Sequence, residues 1–124
     1  MQEKFKFRFN NSLGILHKYY YGSISIADIK SSWEHAFENN LIPKETKGFI
    51  VDYRNANLEF EVDEHIKIAD FYKDNLEVFG NFKIAVVSDE PKDVVIIILV
   101  ETKEDGYFSR LFSTVEAATN WVLR

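Results

Sequence analysis

Hydrophobic and polar positions alternate at the start of the chain: Phe5, Phe7 and Phe9 are interleaved with Lys4, Lys6 and Arg8. A period of two marks a strand with one buried face. Asn10-Asn11-Ser12 reads as a turn, because Asn tolerates the left-handed backbone. Leu13 to Tyr21 then reads as the return strand, ended by Gly22, so the pattern predicts an antiparallel hairpin.

Beyond Gly22 the period changes. Ile26, Ile29, Trp33, Ala36 and Phe37 recur at helical spacing, which predicts an amphipathic helix over 26–39. Ser25 with Asp28 three residues on gives its capping box, with Ile24 and Ile29 at the staple positions. Asn39, Asn40 and Pro43 stop it. The run Gly48-Phe49-Ile50-Val51-Asp52-Tyr53-Arg54 reads as a short buried strand over 48–54, and 55–61 as a polar loop with Leu58 and Phe60 tucked in. Asp63 is expected to cap a second helix over 64–75, with Ile66, Ala69, Tyr72 and Leu76 as its apolar stripe, widened by Ile68 and Phe71. Phe82 to Ser88 is apolar on both faces, as in parallel strands covered by helices.

Residues 91–104 are rich in Val and Ile, and propensity alone favours a strand. Three features favour a helix. Pro91 suits the first helical position, Asp89, Glu90 and Asp93 place negative charge at the positive end of the dipole, and parallel neighbours need a crossover. The helix is the reading adopted. Tyr107–Phe112 is the last strand, and Ser113 with Glu116 predicts a capped terminal helix that turns Val115, Ala118, Trp121 and Val122 inward. The order ββαβαβαβα predicts one α/β domain over 1–124, with a mostly parallel sheet of about five strands, an N-terminal antiparallel hairpin and about four helices.

Composition narrows the function. The 124 residues carry a net charge of −5 and no cysteine. The acidic balance argues against a nucleic-acid binder, which needs a basic stripe. Lys4, Lys6, Arg8 and Lys18 lie close in sequence and are read as a charged edge that resists aggregation. Without cysteine there is no disulfide, thiolate metal site or thiol nucleophile. The N-terminus lacks the apolar segment of a signal peptide, and the longest apolar run falls well short of the roughly 20 residues that span a bilayer. A cytoplasmic protein without membrane insertion is expected. His17, His35 and His65 show no metal-ligand spacing. His17 is read as core-facing with Tyr19 and Tyr21, His35 as lying on a polar helix face, and Glu61-x-Asp63-x-His65 as a solvated helix start. No phosphate loop, nucleophile elbow or catalytic ordering is visible. No metal, cofactor or catalytic residue is assigned, and the chain is expected not to be an enzyme.

Four stretches together resemble the STAS/SpoIIAA-like family of small bacterial domains: the Gly22 segment, Phe49-Ile50-Val51-Asp52, Lys83-Ile84-Ala85-Val86-Val87, and Leu111-Phe112-Ser113-Thr114-Val115-Glu116-Ala117-Ala118 with Trp121. The resemblance covers nearly the whole chain and implies a SpoIIAA-like fold and a protein-interaction or regulatory role. In several members a Ser after the central strand is phosphorylated. Here Asn55 to Asp63 contains no Ser or Thr, so that switch does not carry over. The resemblance therefore points to the uncharacterised SpoIIAA-like branch.

Ligands of open α/β sheets gather at the carboxyl ends of the strands. Tyr53, Arg54, Asn55 and Asn57 are the candidate binding residues there. Arg54 is foremost among them, because its planar fork suits recognition of a protein partner or a small anion. Asp52 and the Asn residues have an alternative use in satisfying loop backbone groups. Ser88 and Asp89 read as helix capping. Tyr20, within Tyr19-Tyr20-Tyr21, is the candidate for an aromatic contact face. Two functions stay open: an interaction module whose partner is another protein or a second copy of itself, and a carrier of a small apolar or anionic ligand between helices and sheet.

Overall fold

The alternating N-terminal pattern closes as β1 (Phe5–Asn10) against β2 (Ile15–Ile24), antiparallel, in the computed structural model, which describes residues 3–124. Phe5, Phe7 and Phe9 turn to one face, opposite Tyr20, Lys18 and Leu16. Then follow α1 (Ile26–Glu38), β3 (Gly48–Leu58), a 3-10 turn (Val62–Glu64), α2 (His65–Asp74), α3 (Leu76–Phe79), β4 (Lys83–Val87), α4 (Pro91–Thr102), β5 (Phe108–Phe112) and α5 (Val115–Leu123). The sheet order is β1-β2-β3-β4-β5, with every pair after the hairpin parallel.

This order decides where the surfaces lie. Each crossover steps one strand further in the same direction, and crossovers of one hand then put their helices on one face. The structure matches that rule: Trp33 of α1, Tyr72 of α2, Phe79 of α3 and Ile96 of α4 share one core with Phe49 and Ile84. Only α5 crosses to the other face. Its Ala118, Trp121 and Val122 cover Ile15, Ile50, Ala85 and Val87. Gly48 permits the close approach of α5, since a Cβ there would stand 2.5 Å from Val122 Cγ1.

The ambiguous segment is helical. Pro91 occupies the first turn of α4, and the Glu90 carboxylate accepts from Asp93 N at 3.0 Å. Ile96, Ile97 and Val100 are buried while Val95 and Ile98 remain exposed. Other expectations need correction. The strand after Gly48 does not end at residue 54, because the 55–61 stretch is not a loop to its end. β3 continues to Leu58, paired with a β2 that passes through Gly22 and ends at Ile24. Gly22 sustains this with φ +75°, a conformation that favours glycine. Asp63 lies inside the 3-10 turn, where Glu61 N donates to Glu64 Oε2 at 3.0 Å. His65 is buried rather than solvated, with Nδ1 2.8 Å from Val62 O. Ile66 and Leu76 are exposed, so the inner stripe of α2 is Ile68, Ala69, Phe71 and Tyr72. The terminal helix is capped by Thr114, whose side chain accepts from Ala117 N, and not by Ser113.

Lys18 is no part of a charged edge. It alternates onto the inner face and is fully buried. Its Nζ donates to Ser32 Oγ at 2.5 Å and lies 4.0, 4.5 and 5.3 Å from the ring centres of Trp33, Tyr20 and Phe7. Ser32 Oγ also bonds the Tyr20 hydroxyl at 3.0 Å and donates to Ile29 O at 2.9 Å. Burial pushes the Lys18 amine well below the usual lysine range.

Candidate functional site

Since α5 rests on β3, β4 and β5, the outer face of β1, of most of β2 and of the far end of β3 has no helix over it. The alternation that turns Phe5, Phe7, Lys18 and Tyr20 inward sends Lys6, Arg8, His17 and Tyr19 outward. They form two cross-strand pairs, Lys6 with Tyr19 and Arg8 with His17. Lys6 and Arg8 are exposed, His17 and Tyr19 half-buried. The imidazole and phenol rings lie nearly parallel, 12° apart with centroids at 6.0 Å. At the hairpin end, Arg8, Asn10, Asn11, Ser12, His17 and Tyr19 line an open depression of about 510 Å³. Burial and the adjacent Arg8 guanidinium lower the His17 pKa, while Asp52 opposes them. The ring is therefore held neutral near pH 7, when it offers one donor and one acceptor.

The candidate residues of β3 are parted by a bulge. Between Tyr19 and Tyr21 the β2–β3 register slips: Tyr19 faces Asp52, but Tyr21 faces Asn55. The extra residue leaves Arg54 and Asn55 both exposed, and Asn57 joins them on the outside. Tyr53 goes the other way. It is buried, and its ring stacks on Tyr20 at 4.7 Å and 2°. The expectation that Tyr53 and Tyr20 contact a partner is therefore corrected, since both phenols serve the core. Their pKa values are pushed far above the usual range by burial.

Arg54 is exposed but its fork is engaged. Nε donates to Asp52 Oδ1 at 3.0 Å, Nη2 to Oδ2 at 2.7 Å, and the Arg54 backbone N also donates to Oδ1 at 2.9 Å. Asp52 thereby satisfies a backbone N–H at the bulge, as an Asx-type residue does. It also holds the Arg54 guanidinium pKa above its ordinary value. By contrast, Arg8 and Lys6 enter no ion pair among the described residues. His17 was expected in the core with Tyr19 and Tyr21, yet all three turn outward. Two adjacent strands carrying cation-x-cation and His-x-Tyr were the available signal, and it depended on a pairing register the sequence does not state.

On the inner face, Tyr53, Leu58, Tyr72, Ile97, Val100 and Ser109 line a cavity of about 20 Å³, room for about one water. Ser109 Oγ and Asp93 Oδ2 are buried there or nearby without a hydrogen-bond partner. Burial raises the Asp93 pKa against the Leu58 N–H that its other oxygen accepts. Ser88 is buried, and its Oγ accepts from Glu90 N at 3.4 Å ahead of the helix, whose cap is Glu90 rather than Ser88 or Asp89. Among the described residues, no group of three His, Asp or Glu side chains is placed to hold a metal ion. None of their helices is long and apolar enough to cross a membrane.

A five-stranded sheet with one antiparallel edge, three crossovers on one face and a lone terminal helix on the other is an α/β domain of SpoIIAA-like fold. The chain is similar to an uncharacterised protein of the DUF3478 family with a SpoIIAA-like fold from Shewanella loihica PV-4. The two structures superpose with a TM-score of 0.65 over 98% of each chain, at 10% sequence identity. At that identity the likeness is one of fold. No family model matches the chain, and no curated protein matches it.

Proposed function

We propose that this protein is a non-enzymatic interaction module of the SpoIIAA-like type, binding another protein on the uncovered half of its outer sheet face. The observation that carries the reading is the near-parallel, stacked His17–Tyr19 pair flanked by unpaired Lys6 and Arg8 on a strand face without a helix. Aromatic and arginine side chains together are the usual energetic centre of a protein interface. Arg54, Asn55 and Asn57 extend the same face. Two further observations weigh against other classes. The one arrangement resembling a base beside a nucleophile, Lys18 with Ser32 and Tyr20, is sealed, with all three residues at most 1% exposed. The inner cavity of about 20 Å³ falls far below the several hundred Å³ of a ligand pocket, which disfavours a carrier with its ligand between helices and sheet.

The test compares affinity capture, read by quantitative mass spectrometry, on the wild type and on two variants of equal stability. Arg8→Gln/Tyr19→Ser alters the uncovered face, and Ile98→Ser alters the outside of α4. Partners lost on the first and kept on the second support the reading. Partners lost only on the second would move the contact surface to α4. A turnover activity found in the wild type and removed by either variant would overturn the non-enzymatic assignment.

A further inference from the structure

We infer that the depression at the hairpin end of this face receives an acidic peptide segment, with a carboxylate of the partner set on the Arg8 guanidinium. The inference rests on the interaction reading above and adds the partner's chemistry.

Charge is the first argument. The chain carries −5 overall, yet this face sets Lys6, Arg8 and Arg54 against Asp52, with Asp89 also near Arg54. The Arg54 charge is neutralised in place by a fork bonded to Asp52, whereas Arg8 and Lys6 have no acidic partner among the described residues. An unpaired guanidinium at the rim of a depression presents a planar set of donors that matches a carboxylate. His17 adds no second charge, since Arg8 and burial keep its ring neutral, but its N–H can serve as a further donor. The polar side chains of Asn11 and Ser12 close the turn end of the depression.

Shape is the second argument. The depression of about 510 Å³ is open and bordered by the stacked rings of His17 and Tyr19, so it suits side chains of an extended segment laid along the strands. Beside it, β1 is an edge strand that pairs only with β2. A segment lying along this side can follow the strand direction, as peptides do when they dock on sheet edges. A bare membrane surface is flat and does not use such a concavity.

The test is selection of random twelve-residue peptides displayed on phage against the folded protein, followed by fluorescence anisotropy with the selected peptides made synthetically. The expected result is enrichment in Asp and Glu, binding weakened about tenfold or more by Arg8→Gln, partly restored in Arg8→Lys, and weakened when salt is raised from 50 to 500 mM, as screened ion pairs require. Peptides of neutral or apolar composition that lose binding in Tyr19→Ser but not in Arg8→Gln would overturn the acidic partner and leave the interaction face standing. Peptides indifferent to both substitutions would overturn both readings. Sedimentation of the protein alone supplies the last outcome: a dimer abolished by Arg8→Gln would replace the acidic peptide with a second copy of the chain.

Discussion

Lys18 Nζ lies 4.0 Å from the centre of the Trp33 ring, in an enclosure with no carboxylate at ion-pair distance among the described residues. Rings and one hydroxyl replace the water a lysine normally keeps. Burial lowers the amine's pKa, so the unfolded chain binds more protons than the folded one between the folded pKa and 10.5. Stability contributed by this site therefore rises with pH across that window and is lowest below it. Lys18→Met, which keeps the length and removes the amine, is expected to raise Tm at pH 7 and to give a smaller rise near pH 10. Thermal melts at both values check this. A fall in Tm at both would mean that the rings and Ser32 hold the ammonium more favourably than water does.

The outer layer depends on two contacts. Gly48→Ala places a methyl against Val122, and Trp121→Ala empties the centre of the cluster under α5. Truncating a buried Trp costs about 3–5 kcal/mol. Trp121 is 8% exposed, with Phe112 against one side at 5.6 Å, so the full range applies. Urea unfolding should show both variants destabilised with little change in slope. A cost below about 1 kcal/mol for Trp121→Ala would mean α5 contributes little to the fold.

His17 should titrate below its ordinary 6.5, because burial and Arg8 both oppose its charge. Arg8→Gln removes one of these and raises the pKa, whereas Asp52→Asn removes the only opposing cause and lowers it further. Since the folded value is depressed, His17 adds stability fully above pH 6.5 and loses it as the pH falls through the window below. Imidazole proton shifts in NMR titrations of the three proteins check the order. An unchanged value in Arg8→Gln would show that the two side chains do not face each other in solution.

Asp52 positions Arg54 through three side-chain bonds, two of them sharing the Nε–H, and one backbone bond. Asp52→Asn keeps a single acceptor and should free the guanidinium. Nitrogen relaxation of the Arg54 Nε–H, slow-moving in the wild type, is expected to become fast in the variant, with a loss of stability of about 1–3 kcal/mol from the broken charge-assisted bonds. Equal mobility in both proteins would place Arg54 in solution away from Asp52.

Much of the fold could be read from period and punctuation. Pro91 with its acidic first turn outweighed the β-propensity of Val94 to Val100, because a helix that seals parallel strands is apolar for the same reason those strands are. The cap at Ser25 was legible from four residues. The ends of β2 and β3 were not. Gly22 and Asn55 look like terminators, and only their mutual pairing keeps both strands extended past them. The site suffered from the same blindness. Tyr20 reads as outward because no local feature fixes which member of a tyrosine run enters the core, and Tyr53 because a strand ending at residue 54 hides that it shares the inward face of Phe49 and Val51. Lys18 was counted with the surface lysines because its enclosure is assembled from three separate elements. The Arg8–His17 pair needed the hairpin register, which the turn sets and the residue types do not.

The slipped residue in β3 gives that strand two phases. Up to Tyr53 its inward positions carry odd numbers: 49, 51 and 53. Beyond it they carry even ones, 56 and 58, while β2 stays even throughout. Deleting Asn55 would therefore not merely shorten the strand. It would remove the change of phase, so that Ala56 and Leu58 stay inward in one unbroken alternation, still paired with Gly22 and Ile24, and Arg54 alone is left outside. A chain reading its inside and outside by parity has here a single place where the reading frame changes. Arg54 and Asn55 stand at that frame change, presented side by side where ordinary strand geometry would have hidden one of them.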